Sequence, residues 1–128
     1  MVIDASALVA ILRLEPEREV FSRIIARAPI RRMSPVNWLE AAIRAENAGP
    51  HSVAALDTYV AAAGISITPV DQFQMRIAHI AWRDFGKGHH PARLNLGDCF
   101  AYALAKQTGE PLLFKGGDFG RTDIVSAV

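Results

Sequence analysis

Cysteine is almost missing from this chain: Cys99 is the only one in 128 residues. One thiol excludes an internal disulfide framework and fits a reducing cytoplasm. No apolar run approaches the ~20 residues of a membrane span, so no membrane partner is expected. The start lacks a basic stretch followed by a signal-type apolar segment and cleavage site. An excess of one charge is missing as well. Lys and Arg number 14 against 13 Asp and Glu, for a net charge of +1, which carries no global nucleic-acid signature. A nearly neutral chain can still bind a polyanion locally, and Arg31-Arg32 and the stretch from Lys87 to Arg93 are basic. Repeats, low-complexity tracts and interdomain linkers are absent, and the length suits one domain with its own core.

What the chain does have is apolar residues, 51% of the total, in alternating strand-like and helix-like segments. Val2-Ile3 reads as a first strand, followed by a short helix from about Ala7 to Leu12. Glu15-Pro16-Glu17 looks like a helix start, with Pro in the first turn and acids complementing the dipole. Val20, Phe21, Ile24 and Ile25 give that helix an apolar stripe ended by Pro29. Arg31 to Ser34 is a weakly signalled strand or extended turn. Ser34-Pro35 starts a helix running to about Asn47, and a further helix spans roughly His51 to Ala63 and stops at Gly64. Ile65 to Val70 is β-branched and predicts a strand. Asp71 would cap a helix from Gln72 to Phe85, and Gly86 to Arg93 is a loop. A helix from Gly97 to Gln107 stops at Gly109. Pro111 to Phe114 predicts a strand, Lys115 to Asp118 a turn, and Ile124-Val125 a last short strand. The alternation predicts a single α/β domain over residues 1–128, with a mostly parallel central sheet of four to five short strands flanked by helices.

Four acids stand in suggestive places. Asp4 follows the first strand, and in open parallel sheets ligands bind beyond the carboxyl ends of strands. Buried there, it must be solvated, hydrogen-bonded, protonated or bound to a cation. Read alone, it is equally a helix cap. Asp118 follows the strand Leu112-Leu113-Phe114 in a Gly-Gly-Asp turn, and ordinary turn chemistry would explain it too. Asp98 opens a helix, where it could simply cap the helix or favour its positive end. Glu40 lies inside an apolar helical segment, with Arg44 four residues on. An exposed ion pair worth ~0.2–0.5 kcal/mol would account for that spacing.

Together the four look more like a shared site. Clustered carboxylates repel, so such a site needs protons or a cation. Oxygen donors without a zinc-like His or Cys spacing suit Mg²⁺ or Mn²⁺. An ion that keeps several waters suits phosphodiester hydrolysis. Ser6, two residues past Asp4, could orient a bound water or cap the helix. His89-His90 is adjacent rather than at helical spacing and makes a poor metal motif. His79 reads as a surface or core histidine. Cys99 reads as a buried structural thiol, Trp38 and Trp82 as core or interface anchors, and Tyr102 equally as a residue bordering the acids or as plain packing.

The segments VIDASAL, NWLEAAIR, GKGHHPARLNLGDCFAYALA and LLFKGGDFGRTDI resemble the PIN-domain ribonucleases in order and length, most closely the VapC-type toxins of bacterial toxin–antitoxin pairs. The resemblance implies that Asp4, Glu40 and Asp98 are the acids holding a divalent metal, with Asp118 the more variable fourth catalytic acid. Asp123 lies close by, and Gly117 stands where many relatives carry a polar residue, so the choice between Asp118 and Asp123 stays open. Ser6 and Thr122 match hydroxyl positions that orient water or metal. The implied activity is a Mg²⁺- or Mn²⁺-dependent endoribonuclease leaving a 5′-phosphate and a 3′-hydroxyl. It implies a homodimer and a hetero-oligomer with a cognate antitoxin, whose C-terminal segment would fill the active-site groove. Lys87, His89, His90 and Arg93 would touch RNA phosphates, or form a solvated loop with no ligand. Two other readings compete. A catalytically inactive PIN-like module would bind RNA or protein without turnover. An aspartyl-phosphate phosphatase would need a second acid where Ser6 stands.

Overall fold

A computed structural model describes residues 1–128. The elements run β1 (Val2–Ile3), α1 (Ala5–Leu12), α2 (Arg18–Arg27), β2 (Arg32–Met33), α3 (Pro35–Glu46), α4 (Ser52–Ala62), β3 (Ser66–Ile67), α5 (Gln72–Phe85), α6 (Leu96–Thr108) and β4 (Leu112–Leu113), then a 3₁₀ turn at Phe119–Arg121. The sheet has the order β3-β2-β1-β4, and every pairing in it is parallel. All four carboxyl ends therefore share one edge. This is the expected α/β architecture, with helices on both faces.

Successive strand residues point to opposite sides of a sheet, and the two cores follow that rule. Ile3, Met33 and Leu113 join Leu8, Ile25 and Leu56 in the core under α1 to α4. Val2 and Leu112 join Leu94, Leu104 and Phe119 in the core under α5 and α6. Two-residue strands are thus sufficient, with β1 and β4 at the centre of the packing buried on both faces. No helix is long and apolar enough to cross a membrane.

Several boundaries differ from the sequence reading, each for a local reason. The first helix begins at Ala5 because the Asp4 carboxylate accepts from the Ser6 backbone N–H at the cap. Glu15 to Glu17 form a turn, preceded by Leu14 in the left-handed region at φ 57°, and α2 waits until Arg18. The expected six-residue strand at 65–70 shrinks to Ser66–Ile67, since Pro69 has no N–H to extend the pairing. Near the end, Ser126 makes only an isolated parallel bridge to Leu112 in place of a strand at 124–125. Gly109 does stop α6, adopting φ 67°, a conformation costly for residues with a Cβ.

Candidate active site

The site begins where β1 ends. The Asp4 backbone N–H donates to Leu113 O at 2.9 Å, which locks the acid to the β4 side of the sheet edge. The residue is only 3% exposed. Oδ2 accepts from the Ser6 amide at 2.9 Å and from the Ser6 hydroxyl at 2.5 Å, while Oδ1 accepts from Asn37 Nδ2 at 3.3 Å. Burial nevertheless raises its pKa above the ordinary value, with the Ser6 bonds pulling the other way. Ser6 Oγ also accepts from the Lys115 amide at 3.0 Å, so the same hydroxyl joins α1 to the loop after β4.

Glu40 sits half-buried on α3. Its Oε1 accepts from Arg44 Nη2 at 2.8 Å, the i,i+4 pair expected from the spacing. Its Oε2, however, is buried with no partner. Burial and then the neighbouring Asp4 raise the Glu40 pKa, and Arg44 partly offsets them. Helix α6 brings its first turn against this oxygen. A Cβ built on Gly97 would lie 2.5 Å from Glu40 Oε2, so glycine is what leaves the carboxylate its place.

Asp98 follows directly. It is the third helical residue of a capping box: its backbone N–H donates to Asn95 Oδ1 at 2.9 Å, and its Oδ2 accepts from the Asn95 N–H at 2.9 Å. Its pKa is nonetheless pushed up to about 7, chiefly by burial and further by Asp4, Glu40 and Asp118. Three acids from β1, α3 and α6 thus occupy one electrostatic neighbourhood, and Asp118 acts on it from the turn after β4.

Asp118 is exposed just before the 3₁₀ turn and caps nothing with its side chain. Asp123 is engaged elsewhere, accepting from the Tyr102 hydroxyl at 2.7 Å and from Lys106 Nζ at 2.7 Å. Those bonds hold its pKa below the usual carboxylate range. Thr122 Oγ1 donates to Phe119 O at 2.7 Å and accepts from the Ile124 N–H at 3.2 Å, closing its own turn.

The acids do not converge into a finished cage, and no three His, Cys, Asp or Glu side chains stand close enough to enclose an ion. Glu40 gives one oxygen to Arg44 and Asp98 gives one to its cap. The donor set still fits a hard cation. Glu40 Oε2 is a buried carboxylate oxygen lacking any partner, beside Asp4, which burial holds toward protonation, and Asp98, which burial and the neighbouring acids hold toward protonation. Mg²⁺ keeps several waters and needs only one or two direct carboxylates, so an incomplete cage is sufficient.

The basic loop is a separate feature. His89 Nε2 lies 2.7 Å from Trp82 O, with its ring edge-on to Trp82. His90 Nδ1 accepts from the Ala92 N–H at 3.0 Å and packs edge-on against Phe85. Lys87 and Arg93 are exposed, and Arg93 holds φ 55°. No hydrogen bond or ion pair joins these four side chains to the acids. The Cys99 thiol is buried, and burial raises its pKa to about 11, as suits an inert structural thiol. Asn37, Asn95 and Gly97 were not singled out in the sequence. An amide in an otherwise alanine-rich buried stripe (Asn37, Ala41, Ala42, Ala45) was the available signal.

The PIN domain family model matches residues 1–125. A protein named Ribonuclease VapC from Mycolicibacterium smegmatis is 47% identical over 127 residues, covering 98% of both chains. Ribonuclease VapC42 of Mycobacterium tuberculosis is 46% identical over 126 residues, 97% of this chain and 96% of its own. Two solved structures share the fold: VapC20 of M. tuberculosis, a toxin cleaving the sarcin-ricin loop, at TM-score 0.74 and 17% identity, covering 97% of this chain and 95% of that one. The other is a chain of a toxin–antitoxin complex from Klebsiella pneumoniae, at TM-score 0.73 and 18% identity, covering 99% and 97%. The chain belongs to the PIN-domain family and, within it, to the VapC group.

Proposed function

We propose that this protein is an endoribonuclease toxin that hydrolyses RNA phosphodiester bonds with the help of Mg²⁺ or Mn²⁺. The observation that carries the reading is the unpartnered, buried Oε2 of Glu40 beside Asp4 and Asp98, in a chain nearly half identical to proteins named ribonucleases. Asp4, Glu40 and Asp98 would hold the ion. Such an ion activates water and neutralises charge on phosphate oxygens when bound.

The chain's own residues would do the rest. Ser6 keeps Asp4 Oδ2 oriented, and the Asn95 cap holds Asp98 by one oxygen, leaving its Oδ1 free for a cation or a water. Asp118 is the fourth catalytic acid of this proposal rather than Asp123, whose two oxygens already serve Tyr102 and Lys106. Thr122 is the weakest candidate, because its hydroxyl is engaged within the turn. Lys87 and Arg93 are free to meet RNA phosphates, which contribute affinity without sequence information. His89 and His90 would support that loop more than contact the substrate directly. The toxin–antitoxin assembly among the structural neighbours supports control by a cognate antitoxin, and a homodimer belongs to the same proposal.

The test is RNA cleavage by the purified protein, stripped of metal and then titrated with Mg²⁺ or Mn²⁺. Cleavage is expected to need the ion and to vanish in Asp4→Asn while the melting curve stays cooperative. Turnover that survives excess chelator would overturn the metal. RNA binding without turnover in metal-replete buffer would favour a binding module instead.

A further inference from the structure

Asn37 is fully buried and belongs to none of the roles described so far. It lies on α3 one turn before Glu40. Its Nδ2 donates to Asp4 Oδ1 at 3.3 Å and to Gly97 O at 3.1 Å. One amide group therefore ties the carboxyl end of β1 to the first turn of α6, from a position on the helix that carries Glu40. Those are the three elements that deliver Asp4, Glu40 and Asp98. The amide's orientation is dictated by its neighbours, because the Gly97 carbonyl can only accept. The Asn37 Oδ1 consequently points away from both contacts and is left buried without a partner.

A buried polar group with one atom unsatisfied is costly. An apolar residue of similar volume would cost nothing of that kind and would suit the alanine stripe around it. The feature that distinguishes asparagine here is a neutral donor between groups that only accept. We infer that Asn37 is a positioning residue of the carboxylate site. It sets the separation of Asp4 from the α6 turn bearing Gly97 and Asp98, and it does so without adding charge to an already acidic pocket. The inference rests on the metal-dependent reading of that pocket. Outer residues of this kind typically change metal affinity without touching the ion.

Two variants test it, with isothermal titration of Mn²⁺ into the metal-stripped protein and steady-state RNA cleavage as readouts. Asn37→Ala removes the donor and adds no charge. It is expected to weaken Mn²⁺ binding by about 10- to 100-fold, to lose cleavage at low Mn²⁺, and to recover it when Mn²⁺ is raised. Asn37→Asp keeps the volume but presents oxygen to Asp4 and to the Gly97 carbonyl. It is expected to lower kcat at saturating Mn²⁺ by about tenfold or more while KM for RNA stays unchanged, since Asn37 is fully buried. If Asn37→Ala does not fold, the kcat and KM of Asn37→Asp decide the matter. Wild-type kcat and Mn²⁺ affinity in folded variants would overturn the inference. A lower melting temperature with unaltered Mn²⁺ affinity and kcat would also overturn it, leaving a packing role. A wild-type protein that binds no Mn²⁺ would sink the metal reading itself, and this inference with it.

Discussion

Asp4, Glu40 and Asp98 each perform an ordinary structural task with one oxygen or one bond. Asp4 caps α1, Glu40 pairs with Arg44, and Asp98 completes a capping box. In the sequence these tasks competed with a ligand role, and each alone would have explained its acid. In three dimensions they are compatible, because a carboxylate has two oxygens and each task engages only part of it. Gly97 shows how tightly the second oxygen is housed. Gly97→Ala would push a methyl into Glu40 Oε2, which a Cβ would approach to 2.5 Å. It is expected to weaken Mn²⁺ affinity and cleavage on the order of tenfold, while circular dichroism shows an intact helix content. Unchanged cleavage in this variant would mean that Glu40 can move away freely and that Oε2 has no fixed role.

At the scale of elements, the start of α6 and the turn after β4 carry the remaining acids. Asn95→Ala would remove one half of the capping box and cost about 0.5–2 kcal/mol, read as a lower denaturant midpoint. Cleavage should also fall, since Asp98 would lose the frame that orients it. The two acids after β4 make contrasting predictions. Asp118→Asn is expected to reduce cleavage and leave the melting temperature nearly unchanged, as its side chain caps nothing. Asp123→Asn is expected to lower the melting temperature by loosening Tyr102 and Lys106 and to leave cleavage near wild type. The reverse pattern would reassign the fourth acid. Element types and order were legible in the sequence because caps and breakers such as Ser34-Pro35, Asp71 and Gly109 act locally. Strand lengths were not, since β-branched residues from Ile65 to Val70 signal burial and extension but not where a parallel neighbour stops pairing.

For the whole molecule, burial of Asp4 and part-burial of Glu40 and Asp98 make stability depend on pH. Asp98 titrates near 3.8 in an ordinary setting and at about 7 in the fold. Between those values the folded chain binds the extra proton, so stability falls as pH rises and levels off above the upper one. Asp4 and Glu40 are shifted in the same direction. Glu110, Asp71 and Asp123 are shifted downward, so their stabilisation is already complete above about pH 5. The melting temperature of metal-stripped protein should therefore decline from about pH 5 to pH 7. Mn²⁺ should restore it most strongly at the upper end, because bound carboxylates must be ionised. Asp98→Asn should flatten the decline. A melting temperature that rises steadily across this window would contradict the upward shifts of these three acids.

The sequence by itself determined the alternation of helices and strands, the parallel sheet, and the four acids worth suspecting. Those follow from periodicity, caps and residue type, which are properties of short segments. Only the tertiary structure decided which acid oxygens are left without partners, that Asp123 serves Tyr102 and Lys106, and that His89 and His90 bond to the Trp82 carbonyl and the Ala92 N–H. It also decided that a buried amide at Asn37 stands between Asp4 and Gly97. Such facts depend on residues dozens of positions apart arriving within about 3 Å of one another, and no local pattern encodes that distance.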